Sequence, residues 1–458
     1  MKIAVLNGSP KGVAVSTTMQ YVHFIQKNFP NHQLKIINIS QPIRKIEKNE
    51  PMFQKIIDDI KSSDAVLWAF PVYYMLVPGN YKRFIELIWE RKVEDAFRDK
   101  PAAILATSIK YMDHSAYYYM QAICEDLGMK FMGQFTPAMY DLEKEKGRKK
   151  TITFASNFFE DLDRDIYTQK NYLPVAPRYF NYEPGTVNNK IDPNGKKILV
   201  ITDHEENQEN LKRMIKRFAD CFTSDVEVIN LRDIETKGSC LGCIKCWYDH
   251  TCVYNDQYIE FMHEKVLKSD LLIWAGAIKD RFLSSKWKIF LDRSFCNGHI
   301  PWLTGKQVSL IVSGPLSQVP NIREVFEVFI ELMEANIGGF VTDEYGESSD
   351  IDRSLDSLAG NMVRDAEKNY VRPMTFLGYG SNLVLREMFW GRFRFPFVAD
   401  WKLHFGKLDD FKFPHDYYKT RFKNNFMMQL SRFPKFRKYV SKNLKNELVK
   451  PLKEVVND

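Results

Sequence analysis

The fold is decided near the N-terminus by the run Lys2-Ile3-Ala4-Val5-Leu6, followed by Asn7-Gly8-Ser9-Pro10-Lys11-Gly12 and then by Ser16-Thr17-Thr18. The apolar run is typical of a buried parallel strand. The three hydroxyl residues are N-cap candidates for a helix that begins near Met19. Helix N-termini attract anions through their free amides and the helix dipole, and no acid interrupts this loop. The stretch therefore predicts a phosphate site, although an ordinary strand-to-helix turn would use the same residue types.

Composition narrows the class of protein. The chain has 458 residues, of which 45% are hydrophobic, and this length predicts two or three domains. No apolar run approaches the ~18 residues of a membrane span. Because the first strand begins at residue 2, we expect no signal segment and a cytoplasmic protein. Four of the seven cysteines lie between residues 240 and 252, which indicates metal or redox chemistry rather than a disulfide framework.

An internal repeat organises the first 370 residues. The run 2–6 recurs as 197–201, and Ser63-Asp64-Ala65-Val66-Leu67-Trp68-Ala69 recurs as 269–275, 206 residues later. That offset then holds without gaps, so that Lys82 matches Lys288. We interpret this register as a tandem duplication. The strand candidates of the first copy are 2–6, 34–39, 64–70, 102–108 and 131–136.

Helical patterns alternate with these strands, and such alternation predicts an α/β fold with a doubly wound parallel sheet. The segment 173–195 holds four prolines and reads as a linker. The predicted domains are 1–170, with the phosphate loop; a linker, 171–195; a degenerate second copy, 196–370; and a basic, mainly helical C-terminal extension, 371–458. Ligands of such sheets bind at the carboxyl ends of the strands, where the phosphate loop lies.

The first copy resembles a known family. The phosphate loop, combined with Phe70-Pro71-Val72-Tyr73-Tyr74, Pro78-Gly79 and Lys82-Arg83-Phe84, is similar to the NADPH-dependent FMN reductases of the flavodoxin-like superfamily. The resemblance implies two five-stranded sheets of order 2-1-3-4-5, FMN as cofactor and NAD(P)H as a substrate. The cofactor-binding residues that it implies are Gly8, Ser9, Pro10, Lys11, Ser16, Thr17, Thr18, Pro71, Val72, Tyr73, Tyr74, Met75, Gly79, Thr107 and Ser108.

The second copy diverges at the corresponding positions. Asp203-His204-Glu205-Glu206 stands where the first copy has Gly8-Ser9-Pro10-Lys11, and Ala277-Ile278-Lys279 replaces Pro71-Val72-Tyr73. Carboxylates at a helix N-terminus suit the dipole but repel a phosphate. The sequence therefore predicts one FMN per chain, bound in the first copy.

The second copy also carries an insertion with the spacing C-x2-C-x2-C-x5-C. It resembles the cysteine motif of the archaeal and clostridial iron–sulfur flavoproteins, and this resemblance implies a [4Fe–4S] cluster on Cys240, Cys243, Cys246 and Cys252. Zinc, or thiols that stay free or form disulfides, are the alternatives. We expect Cys124, Cys221 and Cys296 to be small core residues. We expect His204 and His250 to be solvated, and His114 to reach the flavin edge or to lie on the surface.

The C-terminal extension is basic and aromatic. Residues 371–458 hold 18 basic and 8 acidic side chains and so carry a net charge of +10, whereas the whole chain carries +7. Three interpretations are open: a helical extension that packs its aromatics on the two domains, a docking surface for an acidic, ferredoxin-like electron carrier, or an interfacial membrane anchor. Nucleic acid is disfavoured because no binding motif accompanies the charge. Its aromatic residues are Phe393, Phe395, Phe397, Phe405, Phe411, Phe413, Tyr417, Tyr418, Phe422, Phe426, Phe433 and Phe436.

These observations predict an oxidoreductase that passes electrons between a flavin in the first copy and a cluster in the second, with NAD(P)H or ferredoxin as donor. No protein acid or base is required, because the cofactor carries the chemistry. Iron–sulfur flavoproteins of this fold are symmetric oligomers, so we expect the two copies to pair about a pseudo-two-fold axis, with the 240–252 loop near the rim 71–79. A homodimer of the whole chain is compatible with this. The alternative is a non-catalytic redox sensor or carrier that acts on a partner through the basic extension.

Overall fold

Each half of the first 370 residues contains a five-stranded parallel sheet, as the alternating pattern predicts. The computed structural model describes residues 1–297, 301–390, 398 and 418–440. The strands of the first sheet are β1 (Lys2–Asn7), β2 (Gln33–Asn38), β3 (Ala65–Pro71), β4 (Pro101–Thr107) and β5 (Lys130–Phe135). They lie in the order β2-β1-β3-β4-β5, and all of their pairings are parallel.

Helices cover both faces of this sheet. They are α1 (Thr17–Asn28), α2 (Ile43–Lys48), α3 (Glu50–Lys61), α4 (Gly79–Glu90), α5 (His114–Asp126) and α6 (Glu145–Asp163). The helix α1 begins where the sequence predicts, because the Ser16 side chain accepts a hydrogen bond from the Met19 amide. On one face, α1 and α6 bury Met19, Val22 and Phe158 against β1 and β3. This packing fixes the N-terminus of α1 above the carboxyl edge of the sheet.

The second sheet repeats the topology of the first. Its strands are β6 (Ile198–Thr202), β7 (Glu227–Asn230), β8 (Leu271–Ala277), β9 (Gln307–Ser313) and β10 (Asn336–Thr342). Their order is β7-β6-β8-β9-β10, which is again 2-1-3-4-5. The helices of this half are α7 (Glu209–Asp220), α8 (Gln257–Phe261), α9 (Ser285–Arg293), α10 (Pro320–Leu332) and α11 (Ser348–Glu367).

The two halves pack through equivalent helices, α4 against α9 and α5 against α10. The contacts are reciprocal. The Gly79 amide donates to Asp292 Oδ2 at 2.7 Å, and the Ser285 amide donates to Glu86. Gly79 and Ser285, like Glu86 and Asp292, are 206 residues apart and so correspond in the two copies. Such exchange is the signature of an isologous interface, and it confirms the expected pseudo-two-fold pairing.

The C-terminal extension is helical where the structure describes it. Its helix α12 (Phe376–Trp390) packs against α10 within the compact unit Met1–His404. The unit Phe405–Asp458 contains α13 (Tyr418–Leu430), and residues 434–440 are also helical. In the described ranges, no helix is long and apolar enough to span a membrane.

Of the aromatic residues named for the extension, four have described side chains. Phe422, Phe426 and Phe433 are exposed, whereas Phe436 is half-buried. The others lie outside the described side chains: Phe393, Phe395, Phe397, Phe405, Phe411, Phe413, Tyr417 and Tyr418.

Candidate functional site

The phosphate loop is a tight turn between β1 and α1. The Gly8 amide donates to the Ala69 carbonyl at 2.7 Å, and the Ser9 amide donates to Asn7 Oδ1 at 3.0 Å. A Cβ atom at Gly8 would lie 2.7 Å from Phe70 Cβ, so this position needs glycine for close approach to β3. The loop places Ser9 and Lys11 beside the first turn of α1, whose amides have no hydrogen-bond partner inside the helix. This arrangement is an anion site.

The rim loop after β3 is a strained two-residue turn. Tyr73 and Leu76 exchange backbone hydrogen bonds of 2.9 and 3.0 Å around Tyr74 and Met75. These two residues have φ angles of 37° and 65°, in the left-handed region that costs a non-glycine residue roughly 1–2 kcal/mol. Packing holds the turn, because Met75 is fully buried and the Tyr74 ring contacts Phe295 of the second half. Strain of this kind concentrates at binding sites.

The end of β4 joins the phosphate loop to the rim. Thr107 Oγ1 lies 2.7 Å from Thr18 Oγ1, and the Thr107 carbonyl accepts the Val72 amide at 2.9 Å. Ser108 Oγ donates to Asp113, which also receives the Tyr117 hydroxyl. Thr107 therefore ties the carboxyl edges of β3 and β4 to the first turn of α1.

These three segments line one cavity of about 200 Å³. The sequence-predicted residues in its lining are Ser9, Lys11, Ser16, Thr17, Thr18, Pro71, Val72, Tyr73, Tyr74, Met75, Thr107 and Ser108. Gly8, Pro10 and Gly79 are not in the lining. The Gly79 amide donates to Asp292, and a Cβ at Gly79 would meet Ile289 at 2.8 Å, so Gly79 lies at the contact between the two halves.

Cys240, predicted as a cluster ligand, also lines this cavity, together with Gly242 and Ile244 of the same loop. Sequence reasoning missed the other members, most of which are apolar. They are Ile109, Tyr111, Met139, Asp292, Phe295, Leu332, Leu385 and Met388. The second half and α12 thus complete a site whose polar end belongs to the first half.

The cysteine loop touches the rim, as expected. A Cβ atom at Gly242, whose φ is +60°, would lie 1.9 Å from the Tyr73 hydroxyl and 2.9 Å from Lys11 Cε. Glycine at this position therefore permits the loop to contact both the rim and the phosphate loop. The predicted proximity of the 240–252 loop to the rim is confirmed.

All four loop cysteines line a second, smaller cavity of about 20 Å³, and Cys240 and Ile244 border both cavities. Cys296 is buried, as expected of a small core residue, and it also lines this cavity. It is buried beside the loop because it follows α9, whose last residue, Arg293, also borders this cavity. Across 1–297, 301–390 and 418–440, no three His, Cys, Asp or Glu side chains are arranged to hold a metal ion.

The thiols of this cavity differ in their electrostatics. Burial raises the pKa of Cys240 to about 12. A hydrogen bond with Cys296 lowers the pKa of Cys252, and the nearby Arg293 guanidinium contributes to the decrease. Arg293 is itself held by Asp256 at 2.8 Å. The cavity therefore contains one thiol that favours the thiolate beside others that favour the neutral form.

In the second half, the loop that corresponds to the phosphate loop is occupied by acidic side chains that form ion pairs and hydrogen bonds within the protein. Glu205 pairs with Arg232 at 2.7 Å and with Lys279 at 2.9 Å, where Lys279 stands in the place of Tyr73. Asp203 is buried and accepts a hydrogen bond from Ser284. Burial raises the pKa of Asp203 to about 6. The acidic groups that replace the phosphate loop thus have partners within the protein.

Two histidines differ from expectation, whereas His114 fits the surface alternative. The His114 side chain is 39% exposed, and its Nε2 lies 2.7 Å from Glu324 Oε1 across the α5–α10 contact. Hydrogen bonding to Glu324 raises the pKa of His114. His204 and His250 are half-buried rather than solvated. His114 is therefore an interface residue, because the pseudo-two-fold pairing covers the helix on which it lies.

Residues 1–140 match the family model of the NADPH-dependent FMN reductases, which confirms the resemblance seen in the first loop and the Pro-Val-Tyr stretch. No curated protein matches the chain.

Three solved structures show the extent of similarity. An NADH:FMN oxidoreductase in its apo form is 16% identical over 34% of this chain and 87% of its own, with a TM-score of 0.30. FerB, an NAD(P)H:(acceptor) oxidoreductase from Paracoccus denitrificans, is 20% identical over 36% of this chain and 97% of its own, with a TM-score of 0.30. The general stress protein 14 from Treponema denticola, in complex with FMN, is 13% identical over 36% of this chain and 98% of its own, with a TM-score of 0.28.

Proposed function

We propose that this chain is an NAD(P)H-dependent flavin oxidoreductase that holds one FMN in its first half. One observation carries the proposal: the phosphate-loop hydroxyls, Lys11 and the rim tyrosines line a single cavity, and all of them lie within the residues that match the FMN reductase family. FMN, when bound, supplies the transfer of electrons from the nicotinamide.

The residues present fit this cofactor. Ser9, Ser16 and Thr17 offer donors beside the amides of the first turn of α1, which suits a phosphate. Lys11 adds the cation. Burial lowers the pKa of Lys11, and the nearby Cys240 and Cys243 oppose this change. Tyr73 and the rigid rim offer an aromatic surface for a flat ring.

The second half does not fit a second FMN. Glu205 and Asp203 occupy the position of the phosphate loop, and Lys279 is engaged by Glu205 and Glu90. A bound phosphate would have to displace these ion pairs and would meet carboxylates instead of free donors.

Flavin content and turnover test the proposal. Flavin released from the purified, FMN-reconstituted chain should approach one equivalent, and NAD(P)H oxidation should continue through many turnovers with an external acceptor. Two equivalents would contradict the asymmetric assignment, and no bound flavin would contradict the function. One equivalent without turnover would favour the redox sensor or carrier instead.

We further propose that the cysteine cavity is a second redox centre, with a [4Fe–4S] cluster held by Cys240, Cys243, Cys246 and Cys252. The support is that all four thiols line one cavity that adjoins the flavin cavity. The thiols are not arranged as a preformed metal site, so the loop would have to adjust around the cluster. Iron, sulfide and zinc analysis of anaerobically purified chain tests this: four irons and four sulfides per chain support the cluster, whereas zinc or neither refutes it.

A further inference from the structure

One charged pair of the second half reaches the flavin cavity. Asp292, near the C-terminal end of α9, is the only acid among the described residues that line this cavity, and its side chain is fully buried. Lys288, one helical turn earlier, forms an ion pair with Asp292 and is also fully buried, but it is not part of the lining. The carboxylate is therefore the end of the pair that borders the cavity.

Three donors hold the Asp292 carboxylate. Its Oδ2 accepts hydrogen bonds from the Gly79 amide at 2.7 Å and from the Ser239 hydroxyl at 3.3 Å, and its Oδ1 accepts one from Lys288. Burial raises the pKa of Asp292, whereas all three donors oppose this change because they stabilise the charged form. Gly79 is the last residue of the rim, and Ser239 directly precedes the cysteine loop. Asp292 thus lies where the flavin cavity meets the cysteine loop.

The degenerate side of the pseudo-two-fold axis has a different arrangement of charges. There Glu86 corresponds to Asp292, and its partner Lys82 also pairs with Asp280 at 2.8 Å. The residue of the first half that corresponds to Asp280 is Tyr74, and the rim 71–79 contains no acid. The negative charge at the flavin cavity therefore comes from the second half alone among the described lining residues.

This charge acts on the rim within the buried contact between the halves. Burial raises the pKa of Tyr73, and the nearby Cys240 and Asp292 act in the same direction. Charges in such surroundings interact more strongly than in water. A negative charge beside a flavin opposes the addition of electrons to its ring, so it lowers the reduction potential of the flavin.

We propose that the Asp292 carboxylate lowers the reduction potential of the FMN bound in the first half, so that the second half tunes a cofactor that it does not itself hold. The proposal rests on the FMN site proposed above. Lys288 weakens the effect without cancelling it, because it does not border the cavity. A lower potential makes the reduced flavin a stronger electron donor, and Asp292 exerts this effect at the junction with the cysteine loop.

The midpoint potential of bound FMN, measured in the FMN-loaded full chain against a reference dye, tests this. Asp292→Asn removes the charge and keeps the shape, so we expect the equilibrium constant for two-electron reduction to rise about tenfold, a shift of about 30 mV upward. The matched control is Glu86→Gln, the corresponding change on the degenerate side, which should leave the potential unchanged. Ser239→Ala keeps the charge but removes the hydrogen bond next to the cysteine loop, and it should also leave the potential unchanged.

The outcomes separate this inference from the function on which it rests. If wild type binds FMN but Asp292→Asn has the same potential, the tuning is refuted alone. An equal shift in Glu86→Gln or Ser239→Ala also refutes it, because packing and not the charge would then set the potential. If the wild-type chain binds no FMN, both proposals are refuted.

A second variant applies if Asp292→Asn does not fold. Lys288→Met combined with Asp292→Leu replaces the buried pair by apolar side chains of similar volume, a change that folded proteins often tolerate. Because this variant also removes the carboxylate from the cavity, we expect its potential to shift upward. An unchanged potential in the double variant refutes the proposal.

Discussion

At the scale of single residues, Ser9 decides whether the first loop accepts a phosphate. Ser9→Asp would place a carboxylate against the anion site formed by the first turn of α1, so we expect FMN retention to be lost. The matched control is His204→Asp, the corresponding position in the second half, which should keep one FMN per chain. Flavin fluorescence after desalting measures both variants. Retention of FMN by Ser9→Asp would contradict the location of the phosphate.

Asp203 gives a pH-dependent prediction at the same scale. Burial raises its pKa to about 6, above the ordinary value of about 3.9. Because the folded state binds this proton more tightly, the free energy of unfolding falls as pH rises from about 4 to about 6. Asp203→Asn removes that loss, so its stability relative to wild type should grow by about 2–3 kcal/mol over this range. Urea unfolding at several pH values tests this, and a constant difference would contradict it.

At the scale of elements, the α4–α9 contact depends on a buried charge cluster. Lys82 is fully buried between Asp280 at 2.8 Å and Glu86 at 3.3 Å. Lys82→Met would leave buried carboxylates uncompensated, so we expect it to lower the free energy of unfolding by about 3–5 kcal/mol. Lys55→Met, at an exposed position of α3, should cost little. Adding Asp280→Leu to Lys82→Met should recover part of the lost free energy of unfolding. An equal loss in Lys82→Met and Lys55→Met would show that the cluster does not stabilise the pairing.

At the scale of the whole molecule, the cysteine loop of the second half contacts the rim and the phosphate loop of the first half. If it carries a redox centre, Cys243→Ser should keep one FMN and normal reduction by NAD(P)H but slow transfer to a one-electron carrier. Stopped-flow absorbance measures the two steps separately. Cys124→Ala, in a buried position on α5, is the control and should not affect the carrier step. Normal transfer in Cys243→Ser would assign the loop a structural role.

The basic extension gives a second prediction at this scale. Residues 418–440 hold seven basic and no acidic side chains. If they dock an acidic carrier, electron delivery should fall about tenfold or more as salt rises from low to high ionic strength. Lys435→Glu with Lys438→Glu should have the same effect, whereas Lys146→Glu with Lys150→Glu on α6 should not. Rates unaffected by salt and by charge reversal would contradict docking, and binding to anionic vesicles would indicate a lipid surface instead.

Much of the fold follows from local sequence. The five strands of the first sheet begin and end within one residue of their predicted bounds, because strands buried on both faces need continuous apolar runs. Ser16 caps α1 as predicted, since capping involves only neighbours along the chain. The 206-residue register predicts the duplication, whereas the pairing of the halves was expected from the resemblance to symmetric iron–sulfur flavoproteins, in which corresponding patches meet.

What only the tertiary structure decided is which distant side chains meet. Gly79 reads as part of a flavin motif, but its amide is bound by Asp292, more than 200 residues later. The sequence predicts Cys296 as a core residue and places Leu385 in the basic extension. In the structure, Cys296 lines the cysteine cavity and Leu385 lines the flavin cavity, both of which are formed largely by other elements. A sequence pattern shows which side of an element is apolar, but not which element covers it. That choice depends on packing among surfaces that are far apart in the chain.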